Sequence, residues 1–279
     1  MFQMLYIFFV YIYIYIYMKT KKITSSKTRK NKNVELGLLI TTCKHYYSNI
    51  PNVIHDIETC KFPKENVLIV SGQEDNNSIS YTHGIKLIRV TYTGLHLTGP
   101  IYLSENKVMN NIKYWVLLPD TIKLNKNFYK NIMKYYTTYL KNKEVYTLPF
   151  INFKDTRPTM DMGIVNINHI YNMYDYLHKI KKVNPYSKKD IFNLKLQLVF
   201  DENIIMGVHT HLPQKSTKFK LINPDYPKPT VFIHEENELI EKEVVINNKV
   251  CNEVYFPNLD MYKYQRNYKG PNVPLVMEL

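Results

Sequence analysis

Short continuous apolar runs that close on small polar side chains recur along the first half of the chain. VELGLLITTC carries an apolar centre from Leu36 to Ile40 and ends in Thr41 and Thr42. A run without polar alternation predicts a strand covered on both faces, as in a parallel sheet. The next stretch, SNIPNVIHDIETC, places Ile50, Val53, Ile54 and Ile57 at helical spacing behind Ser48 or Asn49 as N-cap. ENVLIVSG predicts a second strand ending in Ser71-Gly72, and GIKLIRVTY a third, after a polar loop with Glu74, Asp75, Asn76 and Asn77. Strand, helix, strand in that order predicts a right-handed parallel crossover.

The pattern continues through a loop and helix within TGLHLTGPIYLSENKVMNNI and a strand from Tyr114 to Leu118. An amphipathic helix follows near Asn127 to Leu140. EVYTLPF reads as another strand and INHIYNMYDYLHKI as another helix, with further helix from Ser187 towards Phe200. The Tyr-rich EVYFPNLDMYKYQRNYKGPNVP reads as irregular. The alternation predicts an α/β fold with a mainly parallel sheet flanked by helices. Ligands of such sheets gather outside the carboxyl ends of the strands. Three polar clusters fall there: Thr41-Thr42, Ser71 to Asn76, and Pro119-Asp120-Thr121.

Composition changes this picture mainly at the N-terminus. Residues 1–18 hold no charge and include the alternation YIYIYIYM. The run approaches the ~20 apolar residues of a bilayer span, so membrane contact by residues 1–18 is one reading. An aggregation-prone strand is a second. The third is genetic: an alternating TA repeat read in frame gives Tyr-Ile-Tyr-Ile, which would make Met18 the true start. The absence of Ala and the presence of only four Arg among 37 basic residues suit AT-rich coding. Residues 1–33 hold seven basic and no acidic groups, leaving 30 basic against 24 acidic, a net +6, for the remainder. The division expected is a tail, 1–33, and a single domain, 34–279, long enough for a substantial core. A basic tail of this kind is usually solvated, so no specific nucleic-acid partner is expected. Three cysteines without a C-x-x-C pair indicate neither a zinc knuckle nor a disulfide framework, which suits a cytoplasmic protein. No phosphate loop, dinucleotide fingerprint or nucleophile elbow is present.

LLITTCKHYYSNIPNVIHDI and YWVLLPDTIKLNKNFYKNI resemble two landmarks of the GT-A glycosyltransferases: a first strand ending in a Thr-Thr contact to the nucleotide, and a later strand ending in the acidic D-x-D motif. DMGIVNINHI is similar to the segment beside the acceptor in those enzymes. PNLDMYKYQRNYKG resembles terminal segments of glycosyltransferase-like proteins of large DNA viruses. The resemblance implies a GT-A-like domain that moves a sugar from a nucleotide-sugar to a hydroxyl of a glycan or protein acceptor. It places Thr41, Thr42, Asp75 and Asp120 at the nucleotide diphosphate. A Mn²⁺ or Mg²⁺ ion would neutralise the leaving diphosphate, held by Asp120 with His209 or His211, which are two apart and share a side of an extended segment. Leu118-Pro119-Asp120 supplies one carboxylate where the motif supplies two, so a catalytically degenerate binding or virion-associated relative is the alternative. Inverting transfer needs a carboxylate base, for which Asp161 and Asp190 are the candidates, with Glu202 also open. Glu74 joins Asp75 as a ribose or base acceptor. Lys44 and Lys123 are candidate phosphate contacts.

Overall fold

The computed structural model describes residues 35–141, 145–150, 162–184, 186–190, 193, 240–246 and 249–265. The first strand, β1 (Leu36–Cys43), is the centre of a seven-stranded sheet. Helix α1 (Ile50–Cys60) leads to β2 (Val67–Gly72), and a hairpin of β3 (Ser78–Thr82) and β4 (Ile85–Arg89) follows. Helix α2 (Thr98–Glu105) then carries the chain to β5 (Tyr114–Pro119). Strands β1, β2, β4 and β5 are parallel neighbours, in the order β4-β2-β1-β5. The cores of β1, β2 and β5 are fully buried, as a run of Val, Ile and Leu covered on both faces requires.

From β1 the chain winds one way to β2 and β4, then returns across the sheet to β5 on the other side of β1. Crossovers that run in opposite directions, each right-handed, set their helices on opposite faces. The connections after β1 and β5 therefore part company at the carboxyl ends of these two strands, the position at which an open α/β sheet takes its ligand.

After β5, the short strand β6 (Ile122–Leu124) leaves the large sheet and joins a second one. Helix α3 (Phe128–Tyr135) continues as a π-helical turn over Tyr136–Leu140. Strands β7 (Thr147–Pro149) and β8 (Gly163–Asn166) complete the large sheet, with β8 antiparallel to both β5 and β7. Five of the seven strands therefore share one direction. Helices α4 (Ile167–Asn172) and α5 (Tyr174–Lys181) follow, and α5 is clamped to α2 by a Lys181–Glu105 ion pair at 2.8 Å.

The second sheet, in the order β6-β11-β10-β9, is antiparallel and contains β9 (Ile240–Ile246), β10 (Lys249–Phe256) and β11 (Met261–Gln265). This corrects the reading of EVYFPNLDMYKYQ as irregular. Burial there runs at a period of two, Val254 and Phe256 being buried and Tyr255 half-buried, as in an antiparallel strand covered on one face. Val254, Phe256 and Met261 are buried on one face, and the proline falls in the turn between the strands. Two other departures have the same origin. The polar loop before β4 includes strand β3, and GIVN forms β8, because hydrogen bonding to a neighbouring strand decides short strands that carry little pattern of their own.

One close approach fixes the packing of β1 against β5. A Cβ on Gly37 would lie 2.8 Å from the Trp115 ring, so only glycine leaves room for the fully buried indole. The core on the α2 side joins Leu39, Leu68, Val70, Trp115 and Leu117 of the strands to Ile101 and Leu103 of α2. The core helices add their apolar faces, as their helical spacing predicts.

Candidate functional site

Strand alternation sends adjacent side chains of β1 to opposite faces. Leu39 and Thr41 point to the α2 side: a Cβ on Gly99, at the start of α2, would come within 2.5 Å of the Thr41 hydroxyl and 2.8 Å of the Leu39 side chain. Thr42 points to the other side, where its hydroxyl donates to Asp120 Oδ2 at 2.5 Å. Both threonines are buried, at 6% and 5% exposure. The Asp120 backbone N–H donates to the Thr41 carbonyl at 3.1 Å, which continues the β1–β5 pairing past Pro119 and sets the carboxylate at the carboxyl end of the two strands.

The chain immediately beyond Asp120 is held from two sides. The Tyr264 N–H of β11 donates to the Thr121 carbonyl at 2.9 Å, and the Leu124 N–H of β6 donates to Asp56 Oδ2 of α1 at 2.9 Å. The turn at 257–260 adds a third hold, because Asp260 accepts from the Asn125 amide, the Asn127 N–H and the Tyr255 hydroxyl at 3.1, 3.0 and 3.0 Å. Asp120 is thus placed by both sheets, since β5 ends in one and β6 belongs to the other.

Asn49 completes the group. It precedes Ile50-Pro51 and reads as an N-cap, but its side chain makes no capping bond and instead hydrogen-bonds to Asp120. Its Oδ1 is buried without a hydrogen-bond partner. Burial pushes the Asp120 carboxyl up to about 7 against the pull of the Thr42 hydroxyl, its own backbone N–H and the Asn49 amide, and no cationic side chain is among the groups acting on it. A carboxylate removed from water without a counter-ion is costly, so the proton is retained to higher pH.

The neighbouring rim is polar as well. Ser71 donates to Glu74 at 2.5 Å, and both are buried. The Cys43 thiol is pushed up to about 11 by burial, with the Asp120 and Glu74 charges adding to the effect. Such a thiol is a poor nucleophile. The 3₁₀ segment Lys44–Asn49 bridges these strand ends: Lys44 pairs with Asp75 at 2.6 Å, Tyr47 receives a hydrogen bond from Arg89, and Asn49 reaches Asp120.

The structure therefore brings together Thr42 and Asp120 of the expected group and adds Asn49, which sequence reasoning took only as an N-cap. Thr41 lies at the same strand end with its side chain turned under α2. Asp75 lies on the same rim, 71% exposed and bound to Lys44, while its neighbour Glu74 is the buried acid. Lys123 is exposed on β6. Asp190 is half-buried in a separate helical stretch, where its N–H donates to the Ser187 hydroxyl at 3.1 Å, outside the hydrogen-bonded group at Asp120. Asp161, Glu202, His209 and His211 lie outside the described residues.

For the divalent cation that the resemblance implies, the side-chain groups at Asp120 are its own carboxyl, the Thr42 hydroxyl that donates to it and the amide nitrogen of Asn49, whose orphaned oxygen is the other end of the same group. Oxygen donors fit a hard cation such as Mg²⁺ or Mn²⁺. Among the described residues, no group of three or more His, Cys, Asp or Glu side chains gathers as a metal site. Among the same residues, no helix is long and apolar enough to cross a membrane.

No family model matches the chain, and no curated protein matches it. Among solved structures, the crystal structure of residues 1–349 of TarS from S. aureus, a staphylococcal glycosyltransferase, is similar over 55% of this chain and 52% of its own, with 11% identity and a TM-score of 0.33. The chain spans about half the length of that structure.

Proposed function

We propose that this chain is a glycosyltransferase-like protein that binds a nucleotide-sugar at the carboxyl ends of β1 and β5 and transfers the sugar to a hydroxyl of a glycan or protein acceptor. The observation that carries the reading is the buried Thr42–Asp120–Asn49 group at the point where the winding of the sheet reverses, the position at which an open α/β sheet takes its ligand. Perturbed carboxylates cluster at functional sites, which supports the same reading.

In this reading Asp120 is the residue at the diphosphate, and Thr42 and Asn49 orient it by donating to it. A bound Mn²⁺ or Mg²⁺ would supply the positive charge that stabilises the leaving diphosphate. Asp120, with Thr42 beside it, is the part of the chain that would hold it, and His209 or His211 remains the proposed distant ligand. The rim formed by Ser71, Glu74 and Asp75 offers acceptors for ribose or base hydroxyl and N–H groups, Glu74 being the pre-oriented one. The base that takes the acceptor proton is sought among Asp161 and Asp190.

Isothermal titration of the full chain with UDP and GDP, with Mn²⁺ and with EDTA, tests the proposal. Binding that is lost in Asp120→Ala is the expected result. Absence of binding of either nucleotide under both conditions overturns it.

A further inference from the structure

Strand β3 is an edge of the large sheet, with β4 as its only neighbour among the described residues. Edge strands present unpaired backbone groups, which proteins commonly guard with charge, proline or a bulge. Ser78-Ile79-Ser80-Tyr81-Thr82 has none of these: no residue is charged, none is proline, and its register with β4 runs unbroken from Ser78–Arg89 to Thr82–Ile85. Ile79 and Tyr81 are 59% and 69% exposed, so two large apolar side chains stand in solvent on the same face of one strand. His83 and Gly84, at φ 52° and 83°, make the turn of the hairpin. In a hairpin closed by two residues, the pair flanking the turn is hydrogen-bonded, and bonded and non-bonded pairs alternate along the strands. Ser78, Ser80 and Thr82 therefore turn their N–H and C=O groups to β4, and Ile79 and Tyr81 turn theirs outward.

We propose that this edge is a dimer interface, in which β3 pairs antiparallel with β3 of a second copy about a two-fold axis at Ser80 and joins the two large sheets into one. The strand is complementary to itself in that register. Ile79 faces Tyr81 of the second copy, twice by symmetry, in hydrogen-bonded pairs that use the outward groups of both residues. Ser80 faces its own counterpart, and Ser78 faces Thr82. Aromatic against β-branched and Ser against Thr are favourable cross-strand pairs, and a two-fold contact demands such self-complementarity. Sliding by two residues would lose it: Ile79 would face itself and Tyr81 face Asn77, or Tyr81 would face itself and Ile79 face His83. Charge agrees as well. Antiparallel pairing carries the exposed Asp75 towards the turn of the second copy, where His83 is exposed and Lys64 lies 3.8 Å from a Cβ on Gly84. Lys44 at Asp75, and Glu58 at Lys64 and His83, leave no uncompensated like charges at either end. An edge of five residues falls short of a permanent interface, so the dimer is concentration-dependent. The inference does not rest on the nucleotide-sugar reading.

Sedimentation velocity of the full chain over a concentration series tests it. Wild type shifts from monomer to dimer as the concentration rises. Tyr81→Lys sets like charges on either side of the axis and abolishes the shift, while the bonds of the hairpin to β4 stay in place. Ile79→Lys combined with Tyr81→Glu sets opposite charges across both pairs and restores the dimer. A wild type that stays monomeric, or self-association unchanged by Tyr81→Lys, overturns the proposal. If Tyr81→Lys fails to fold, oxidative crosslinking decides, with wild type as the control for Cys43, Cys60 and Cys251. The Ser80 pair is non-hydrogen-bonded, about 4.5 Å between Cα atoms, which a disulfide spans. Ser80→Cys therefore links two copies and Ile79→Cys, which faces position 81, does not. Absence of the Ser80→Cys crosslink, or an equal crosslink from Ile79→Cys, sinks the assignment.

Discussion

Thr41 and Thr42 are adjacent in the chain, yet they finish in regions built on different physics. Thr41 lies on the α2 side, pressed by Gly99 into a dry layer with Leu39, Trp115 and Ile101. Thr42 lies on the other side, hydrogen-bonded to a buried acid that also engages Asn49. The first region is stabilised by close packing, with no room for even a Cβ on Gly99. The second keeps an uncompensated carboxyl and an orphan acceptor out of water. Stability is given up there in the way expected of a site that waits for a partner.

The largest expected effect lies on the polar side. Asp120 has a folded-state pKa of about 7 against 3.8 for the free side chain, so the folded state holds its proton where the unfolded state releases it. Its contribution to stability is complete below pH ~4 and is lost as the pH rises towards 7. Asp120→Asn removes that slope: urea unfolding finds the variant equal to wild type near pH 4 and more stable at pH 8, by up to about 4 kcal/mol, with nucleotide binding lost. Identical pH slopes for the two proteins would place the buried charge elsewhere.

On the dry side, Gly99→Val drives a side chain into Thr41 and Leu39. We expect a loss of about 1–3 kcal/mol at every pH, read from the urea midpoint. A pH-dependent loss would mean that the two regions are coupled. The sharpest comparison is between the threonines themselves. Thr42→Val takes a donor from Asp120, costs about 1–3 kcal/mol, and raises the acid's pKa further; Thr41→Val costs less and leaves the pH profile alone.

Asp56, half-way between the two regimes, is pushed up to about 6 by burial although it accepts the Leu124 N–H. Asp56→Asn keeps an acceptor for that N–H and removes a second, smaller slope of the same sign between pH ~4 and 6, about 1–2 kcal/mol. Thermal melts at pH 5 and pH 7 check this. The smallest effect is expected at the rim, where Lys44→Ala breaks an exposed ion pair with Asp75 and should leave the melting temperature unchanged. A clear fall would show that the 3₁₀ segment depends on that bridge.

The parallel strands β1, β2, β4 and β5 and helices α1 and α3 were legible because each buries enough apolar surface to impress its period on the sequence. Strands β3, β6 and β8 were not, since three to five residues carry too little pattern and depend on the neighbour that pairs with them. Strands β10 and β11 did alternate, but tyrosines and a proline masked the period. At the site, Thr42 and Asp120 were visible as polar residues closing apolar runs. Asn49 was visible only as a cap, because its sequence context, Asn-Ile-Pro, is that of a helix start whatever its side chain does.

By itself, the sequence determined the parallel strands of the large sheet, and with them the strand ends at which polar residues would gather, because burial on both faces dictates continuous apolar runs; the order of those strands was decided by the tertiary structure. Only the tertiary structure decided which of those polar residues meet. Whether Thr41 or Thr42 faces Asp120 depends on the register of β1 with β5, and whether Asn49 caps its helix or turns to the acid depends on how α1 is seated against β6. Those are contacts between residues some seventy positions apart, and no local pattern encodes them.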